Sequence, residues 1–370
     1  MRIGIITYHW AYNYGAVMQA YALQTHLEKL GHIVEFINYI PINQTVGVLR
    51  KYIGRNFEST KLKWKTSRRE LSFYPFISRL NIGSIKYISH QELLDLPPKY
   101  DIYICGSDQI WNYDLVSSTP EKKGISHPYY LDFGDETAQR LAYAPSFGSV
   151  NIPDEVKEEV KKCLNKFHSI SVREKSGVEI IKSLGFKNVK WMPDPTFLLK
   201  KADYLDIETS RINDNQGFIY SYILEEQDEM AKKVLTLVSD MNNKTIYNVF
   251  MGTIIKGRNY KNIIPSPEQW LHYINNADFV VTNSFHSTVF SLIFHRPFIT
   301  IPLGGRASVR NERIISLLDS LGLSTRLLWE YDEIAILEIR KQSINWEIVD
   351  KTINKWRENA NNFFLNALLK

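Results

Sequence analysis

The chain has 370 residues, 44% hydrophobic and 23% charged, with a formal net charge of +5. Such a length suits two domains better than one, the composition is ordinary for a soluble enzyme, and the mild basic excess favours anionic substrates or an acidic membrane surface without requiring nucleic acid. No run approaches the roughly 18 apolar residues of a membrane span, and two cysteines, Cys105 and Cys163, at no metal-ligand spacing argue against a disulfide framework or a structural zinc site.

The apolar stretch Ile3–Ile6 is too short for a signal peptide and is soon interrupted by His9, Asn13 and Gly15, so a cytoplasmic protein with reduced thiols is expected. Arg2–Tyr8 reads as a strand and Tyr12–Gly15 as a turn. Ala16, Ala20, Leu23, Leu27 and Leu30 then recur at helical spacing, with Gly31 as the stop. Ile33–Tyr39 closes a βαβ unit, which predicts a parallel sheet with helices on both faces. Residues 42–98 break this rhythm. Between Arg50 and Arg69 lie eight basic residues and one acid, interleaved with Tyr52, Phe57 and Trp64. A solvated excursion is one reading; a lid, or a basic face toward a lipid-linked anionic acceptor at the inner membrane surface, is the other.

The βα rhythm resumes with strands over Asp101–Cys105, Arg140–Ala144, Ser169–Arg173 and Val189–Met192. It starts afresh at Gly217, with strands over Phe218–Leu224, Lys244–Phe250, Ala277–Val281 and Phe298–Ile301 and helices between them. A last amphipathic helix shows a buried stripe of Val349, Ile353, Trp356, Phe363 and Ala367. The expected architecture is α/β: two doubly wound Rossmann-like domains facing across a cleft, with ligands at the carboxyl ends of their strands. The boundaries are placed at 1–165, with the basic insertion at about 42–98, then 166–345, and a C-terminal helix over 346–370 that packs back across the domains. Asn213–Gly217 is the most obvious linker.

Four polar motifs follow predicted strands. Asn13-Tyr14-Gly15-Ala16 reads either as an anion-contacting loop or as a plain turn and helix start; neither a dinucleotide fingerprint nor a P-loop occurs. In Gly106-Ser107-Asp108-Gln109-Ile110-Trp111-Asn112, the Ser and Asp are helix caps or a site. Trp111 would then stack on a sugar, Asn112 would bind its hydroxyls, and Asp108 would serve as general base. Arg173 offers a fork for carboxylate or phosphate, or a salt bridge to Glu174 or Asp194. In Thr282–Thr288, His286 with Ser284, Ser287 and Thr288 sits at a strand-to-helix junction. There the first helical amides and the helix dipole favour an anion, and an imidazole can move a proton. Arg306, with Arg310 and Arg313, either completes an anion pocket or covers a helix surface. No D-x-D or H-E-x-x-H triplet or motif occurs, so no metal ligand is assigned.

In this order, Ile5–Tyr8 with Asn13–Ala16 and Gln19–Gln24, Gly106–Asn112, Ser171-Val172-Arg173-Glu174, Asp194-Pro195-Thr196, Ser284–Ser287 and Arg313–Leu318 resemble the motifs of the polysaccharide pyruvyl transferases. The resemblance spans roughly residues 2–330 and leaves 42–98 and the C-terminal helix without a signature. It implies a GT-B-like fold and transfer of pyruvate from phosphoenolpyruvate to two sugar hydroxyls as a ketal, with phosphate released. Phosphoenolpyruvate would be donor substrate rather than cofactor, and no cofactor or metal is called for. The acceptor would be a sugar in a glycan or lipid-linked oligosaccharide. Arg173 and His286 would hold the donor and Asp108 act as base, with Asn13, Gly15, Ser107, Trp111, Asn112, Ser284, Ser287 and Arg306 as substrate contacts. His286→Ala and Arg173→Ala are expected to fold normally and release little phosphate. A nucleotide-sugar glycosyltransferase of the same architecture is the alternative, and a non-catalytic carbohydrate-binding protein a third.

Overall fold

The computed structural model describes residues 1–42, 57–116, 124–208, 217–224, 229–241, 243–252, 254–255, 257 and 259–368; the side chains of 57–61, 116 and 306 fall outside that description. The chain divides into two units, Met1–Gly47 with Ile77–Leu199 and Asn354–Lys370, and Val48–Phe76 with Lys200–Ile353.

In the first unit, β1 (Arg2–Ile6) is buried at every position after Arg2. Its unbroken apolar run is what a strand covered on both faces requires. Helix α1 (Tyr14–Lys29) starts where the Asn13 side chain accepts from the Ala16 amide. It stops at Gly31, whose φ of +88° a side chain would resist. After β2 (Ile33–Tyr39) the chain forms α2 (Phe57–Leu71), which counts with the second unit. It returns to the first as β3 (Ile82–Tyr87), β4 (Ile102–Cys105), β5 (Gln139–Ala142), α3 (Asp154–Leu164), β6 (Ser169–Val172), α4 (Lys175–Ser183) and β7 (Val189–Trp191). The seven strands run in the order β3-β2-β1-β4-β5-β6-β7, every pairing parallel.

Two expected boundaries shift. β6 pairs with β5 and β7 with β6, so residues 166–199 extend the first sheet instead of opening a second domain at 166. The stretch 42–98 is not one insertion either: β3 hydrogen-bonds to β2 in the first sheet, while α2 belongs to the second unit. Residues 43–56 of that stretch, and 213–216 of the expected linker, lie outside the described residues.

The second unit repeats the winding. β8 (Phe218–Tyr222), α5 (Glu229–Asp240), β9 (Thr245–Val249), β10 (Tyr260–Ile263), α6 (Pro267–Asn276), β11 (Phe279–Thr282), α7 (Phe285–Ile293), β12 (Phe298–Thr300), α8 (Glu312–Ser320) and α9 (Glu333–Lys341) follow in turn. The sheet order is β10-β9-β8-β11-β12, again wholly parallel. Helix α10 (Trp346–Leu368) ends the description. From Asn354 onward it counts with the first unit, where Ala360, Phe363, Phe364 and Ala367 pack on Ile3, Ile5 and Leu23. Arg357 there donates to the carbonyls of Phe197 and Leu199. Among the described residues no helix is long and apolar enough to cross a membrane.

Candidate active site

A doubly wound sheet has one place where successive crossovers leave to opposite faces, and the loops there part to admit a ligand. In the second unit that place lies between β8 and β11. Thr282 ends β11, and its hydroxyl donates to the Tyr222 carbonyl at 2.6 Å and accepts from the Ser284 amide at 3.0 Å. Asn283 Oδ1 accepts from the Leu224 amide at 2.7 Å, which fixes the side chain across the two strand ends. Its Nδ2 and the Ser287 hydroxyl are both buried, with no hydrogen-bond partner among the described residues. Leaving a buried donor unsatisfied costs about 1–3 kcal/mol, so two at one turn mark a place shaped for an acceptor.

Ser284 caps α7 by accepting from the Ser287 amide at 3.4 Å. His286 is the second helical residue, 7% exposed and edge-on to Phe285. The Arg313 guanidinium from α8 lies over the Phe285 ring at 5.4 Å. Ser284, His286 and Ser287 thus meet in one turn at a helix N-terminus, where backbone and dipole favour negative charge. Arg306 lies on the 3-10 turn Gly305–Asn311, and its side chain is outside the described residues.

Two cations at the strand ends of this sheet were not singled out from the sequence. Helix α2 lies along the carboxyl ends of β9 and β10: Lys65 Nζ sits 5.8 Å from the Phe250 ring, Arg69 Nη1 is 2.9 Å from Met251 Sδ, and Ser72 donates to the Pro265 carbonyl. The Arg69 charge also reaches Tyr222 at the end of β8, whose phenol burial pushes up to about 12 while Arg69 draws it down. The basic run gave the signal, but its position along the strand ends of the second sheet is a long-range fact.

The equivalent place in the first unit lies between β1 and β4. The Thr7 hydroxyl donates to the Ser107 carbonyl at 2.8 Å, Gln19 donates to that hydroxyl, and Tyr8 OH donates to the Gln109 carbonyl. Asp108 is partly exposed at the turn with φ 75°, and its Oδ1 accepts from the Gln109 amide. A non-glycine residue held there costs of order 1 kcal/mol, a strain that surrounding structure must enforce. Burial, then the Asp108 charge, raise the Tyr8 phenol above its ordinary range.

Arg173, at the end of β6, is committed to neighbours: Nε donates to Glu174 at 3.0 Å and Nη1 to Asp194 at 2.8 Å, and its side chain is 2% exposed. Nη1 also reaches the Ser107 hydroxyl, which donates to Asp194 at 3.3 Å. Burial pulls the guanidinium pKa down, but Glu174, Asp194 and Asp108 together outweigh it and hold it above the usual value. One cation among three carboxylates is a poor host for an anion. Of the two readings the sequence offered, the salt bridges are the contacts made here, and through them Arg173 ties together the turns after β4 and β7.

Trp111 and Asn112 also depart from expectation. The Trp111 indole is 2% exposed, stacked on Tyr130 with centroids 5.0 Å apart, and donates to the Tyr129 carbonyl. It is core and has no face for a sugar. Asn112 is 4% exposed; its amide donates to Gln109 and its oxygen accepts from the Asp114 and Leu115 amides. Gly148 stands over it, where a Cβ would come within 2.2 Å of Asn112 Nδ2. Asn13 is an exposed N-cap, and Gly15 is buried inside α1.

A family model described as polysaccharide pyruvyl transferase matches residues 13–304, well over half of the chain. No match was found among curated protein sequences. Among solved structures, the chain is similar to a UDP-N-acetylglucosamine 2-epimerase from Rickettsia bellii, with TM-score 0.56 and 10% identity over 99% of this chain and 96% of that one. It is also similar to the UDP-GlcNAc 2-epimerase from Neisseria meningitidis bound to UDP-GlcNAc, with TM-score 0.52 and 10% identity over 99% and 100%. At such identity these structures show the fold alone, the GT-B-like pairing of two Rossmann-like units.

Proposed function

Because the chain belongs to the polysaccharide pyruvyl transferase family, we propose that it moves pyruvate from phosphoenolpyruvate onto two hydroxyls of a glycan or lipid-linked sugar, forming a ketal and releasing phosphate. The observation that carries this reading is the turn between β11 and α7. A capped helix N-terminus, His286, and the buried donors Asn283 Nδ2 and Ser287 Oγ converge there. That set suits a phosphate ester with a neighbouring carboxylate. Arg69, Lys65 and Arg313 supply the balancing charge.

A proton delivered to the methylene carbon of phosphoenolpyruvate leaves C2 electron-poor. The first sugar hydroxyl adds to C2 and loses its proton. The bond from C2 to the phosphate oxygen then breaks, and phosphate departs. The second hydroxyl adds to C2, loses its proton, and closes the ring. Two hydroxyl protons leave, one is taken up by the methylene, and the other balances the departing phosphate. We assign His286 to the proton at the donor and Asp108, partly exposed at the turn after β4, to the proton of the acceptor hydroxyl. No cofactor is needed.

The test is to supply phosphoenolpyruvate with a panel of free and lipid-linked glycans, reading phosphate and product mass together. The expected product carries the mass of pyruvate less one water, with one phosphate per product. His286→Ala and Asp108→Asn should each slow it by about 10²–10⁴-fold without changing the unfolding temperature. Turnover of nucleotide sugars with no consumption of phosphoenolpyruvate would establish the glycosyltransferase alternative instead.

A further inference from the structure

We propose that His127, Asp132 and Cys163 form a binding site for one transition-metal dication of the zinc class, in the first unit and at the end of its sheet away from the catalytic turns. The ligands come together through local geometry that no sequence motif advertises. His127 opens a one-turn 3-10 helix, His127–Tyr130, and Leu131 follows at φ 55°. That left-handed residue turns the chain back, so that Asp132 Oδ2 lies 2.7 Å from His127 Nδ1. Cys163, in the last turn of α3, brings its Sγ to 3.9 Å from the same nitrogen. The three donor atoms all lie within 4.8 Å of one another. Donors around a tetrahedral zinc stand about 3.4–3.7 Å apart, given bonds of about 2.0–2.3 Å. Reaching that geometry would open the N–O edge from 2.7 Å by about 0.7 Å and close the N–S edge from 3.9 Å by about 0.3 Å, with the S–O edge, within 4.8 Å, drawing in as well.

The groups behind the ligands are those a metal site requires. His127 Nε2 donates to Glu159 Oε1 at 2.9 Å, one helical turn before Cys163. A carboxylate on the far nitrogen fixes the tautomer and orients Nδ1 as ligand. Lys166 holds Asp132 Oδ1 at 2.5 Å, leaving Oδ2 to face His127. His90 stacks on the His127 ring, with centroids 5.0 Å apart and planes 5° from parallel. Mixed nitrogen, oxygen and sulfur donors select zinc-like ions over magnesium or calcium. The His127 and Asp132 side chains are 31% and 23% exposed, so water can complete the coordination.

Without a cation, both His127 ring nitrogens donate to carboxylates, and the Nδ1 proton bridges where the metal would bridge. The site is structural by position. Arg140, in β5, holds the carbonyls of Leu131 and Phe133, and Cys163 ends the helix that leads into β6. Both features lie at the amino ends of these strands, whereas Ser107, Asp108 and Arg173 lie at carboxyl ends.

Cobalt(II) titration of the metal-stripped full chain tests this. One equivalent should bind saturably and give a thiolate-to-cobalt absorption in the near ultraviolet. The band should persist in Cys105→Ser and vanish in Cys163→Ser. Asp132→Asn, and Glu159→Gln, which leaves all three ligands in place, should each raise the cobalt concentration needed by about 10–100-fold. Zinc should raise the unfolding temperature of the wild type but not of Cys163→Ser. Absence of saturable one-to-one binding, or a band that survives Cys163→Ser, would overturn the assignment.

Discussion

Arg173 shows how far a residue's chemistry can be read before its neighbours are known. The sequence offered an anion fork or a salt bridge to Glu174 or Asp194, and the structure makes both bridges with side chains 2%, 3% and 0% exposed. Which of these forms depends on β6 and β7 being adjacent, a long-range pairing that spacing does not encode. Arg173→Ala would leave two carboxylates buried without their cation. We expect a loss of about 3–5 kcal/mol in urea unfolding, contrary to the sequence expectation that it folds normally; a change below 1 kcal/mol would refute the positioning role. Trp111 was misread for a similar reason, since its partner Tyr130 lies on a separate 3-10 turn. The placement of His286, Ser284 and Ser287 at a strand-to-helix junction was legible, because a strand, a cap and a helix start are local signals.

Among elements, the central strands and the capped helices followed from pattern. β1 and β11 are buried throughout or nearly so, and Gly31 stops α1 as its position suggested. Of the four edge strands, β7 and β12 were read, while β3 and β10 were not, carrying mixed residues such as Lys86, Lys261 and Asn262 with no strand pattern. Helix α2 was visible as a basic run, yet its seat along the ends of β9 and β10 was not. The stripe of α10 was correctly read as buried, without showing that its second half completes the core of the first unit. Phe364 stacks on Tyr143 at 4.7 Å and is fully buried. Phe364→Ala should therefore cost about 3–5 kcal/mol, read as a lower urea midpoint; an unchanged midpoint would mean the helix is a dispensable appendage.

At the scale of the whole molecule, two sheets wound in the same order put polar turns at both switch points, which is why motif order along the chain carried the family. The same packing gives the first unit an acid sensitivity. Burial lowers His9 to about 4, and burial followed by the Lys29 charge does the same to His26. Their unfolded value is near 6.5. As pH falls below that value the unfolded chain takes up protons first, so stability is full above it and declines toward about 4, where the folded form also protonates. The pair should cost a few kcal/mol across this window, and urea midpoints at successive pH values should fall less steeply in His26→Phe. Equal slopes would contradict the assignment. The central claim is that a phosphate-bearing donor is held at the β11–α7 turn. Amide hydrogen exchange with and without phosphoenolpyruvate tests it most directly. Slower exchange across residues 283–288 and at Leu224 is predicted; protection confined to residues 106–109, or none at saturating phosphoenolpyruvate, would contradict the account.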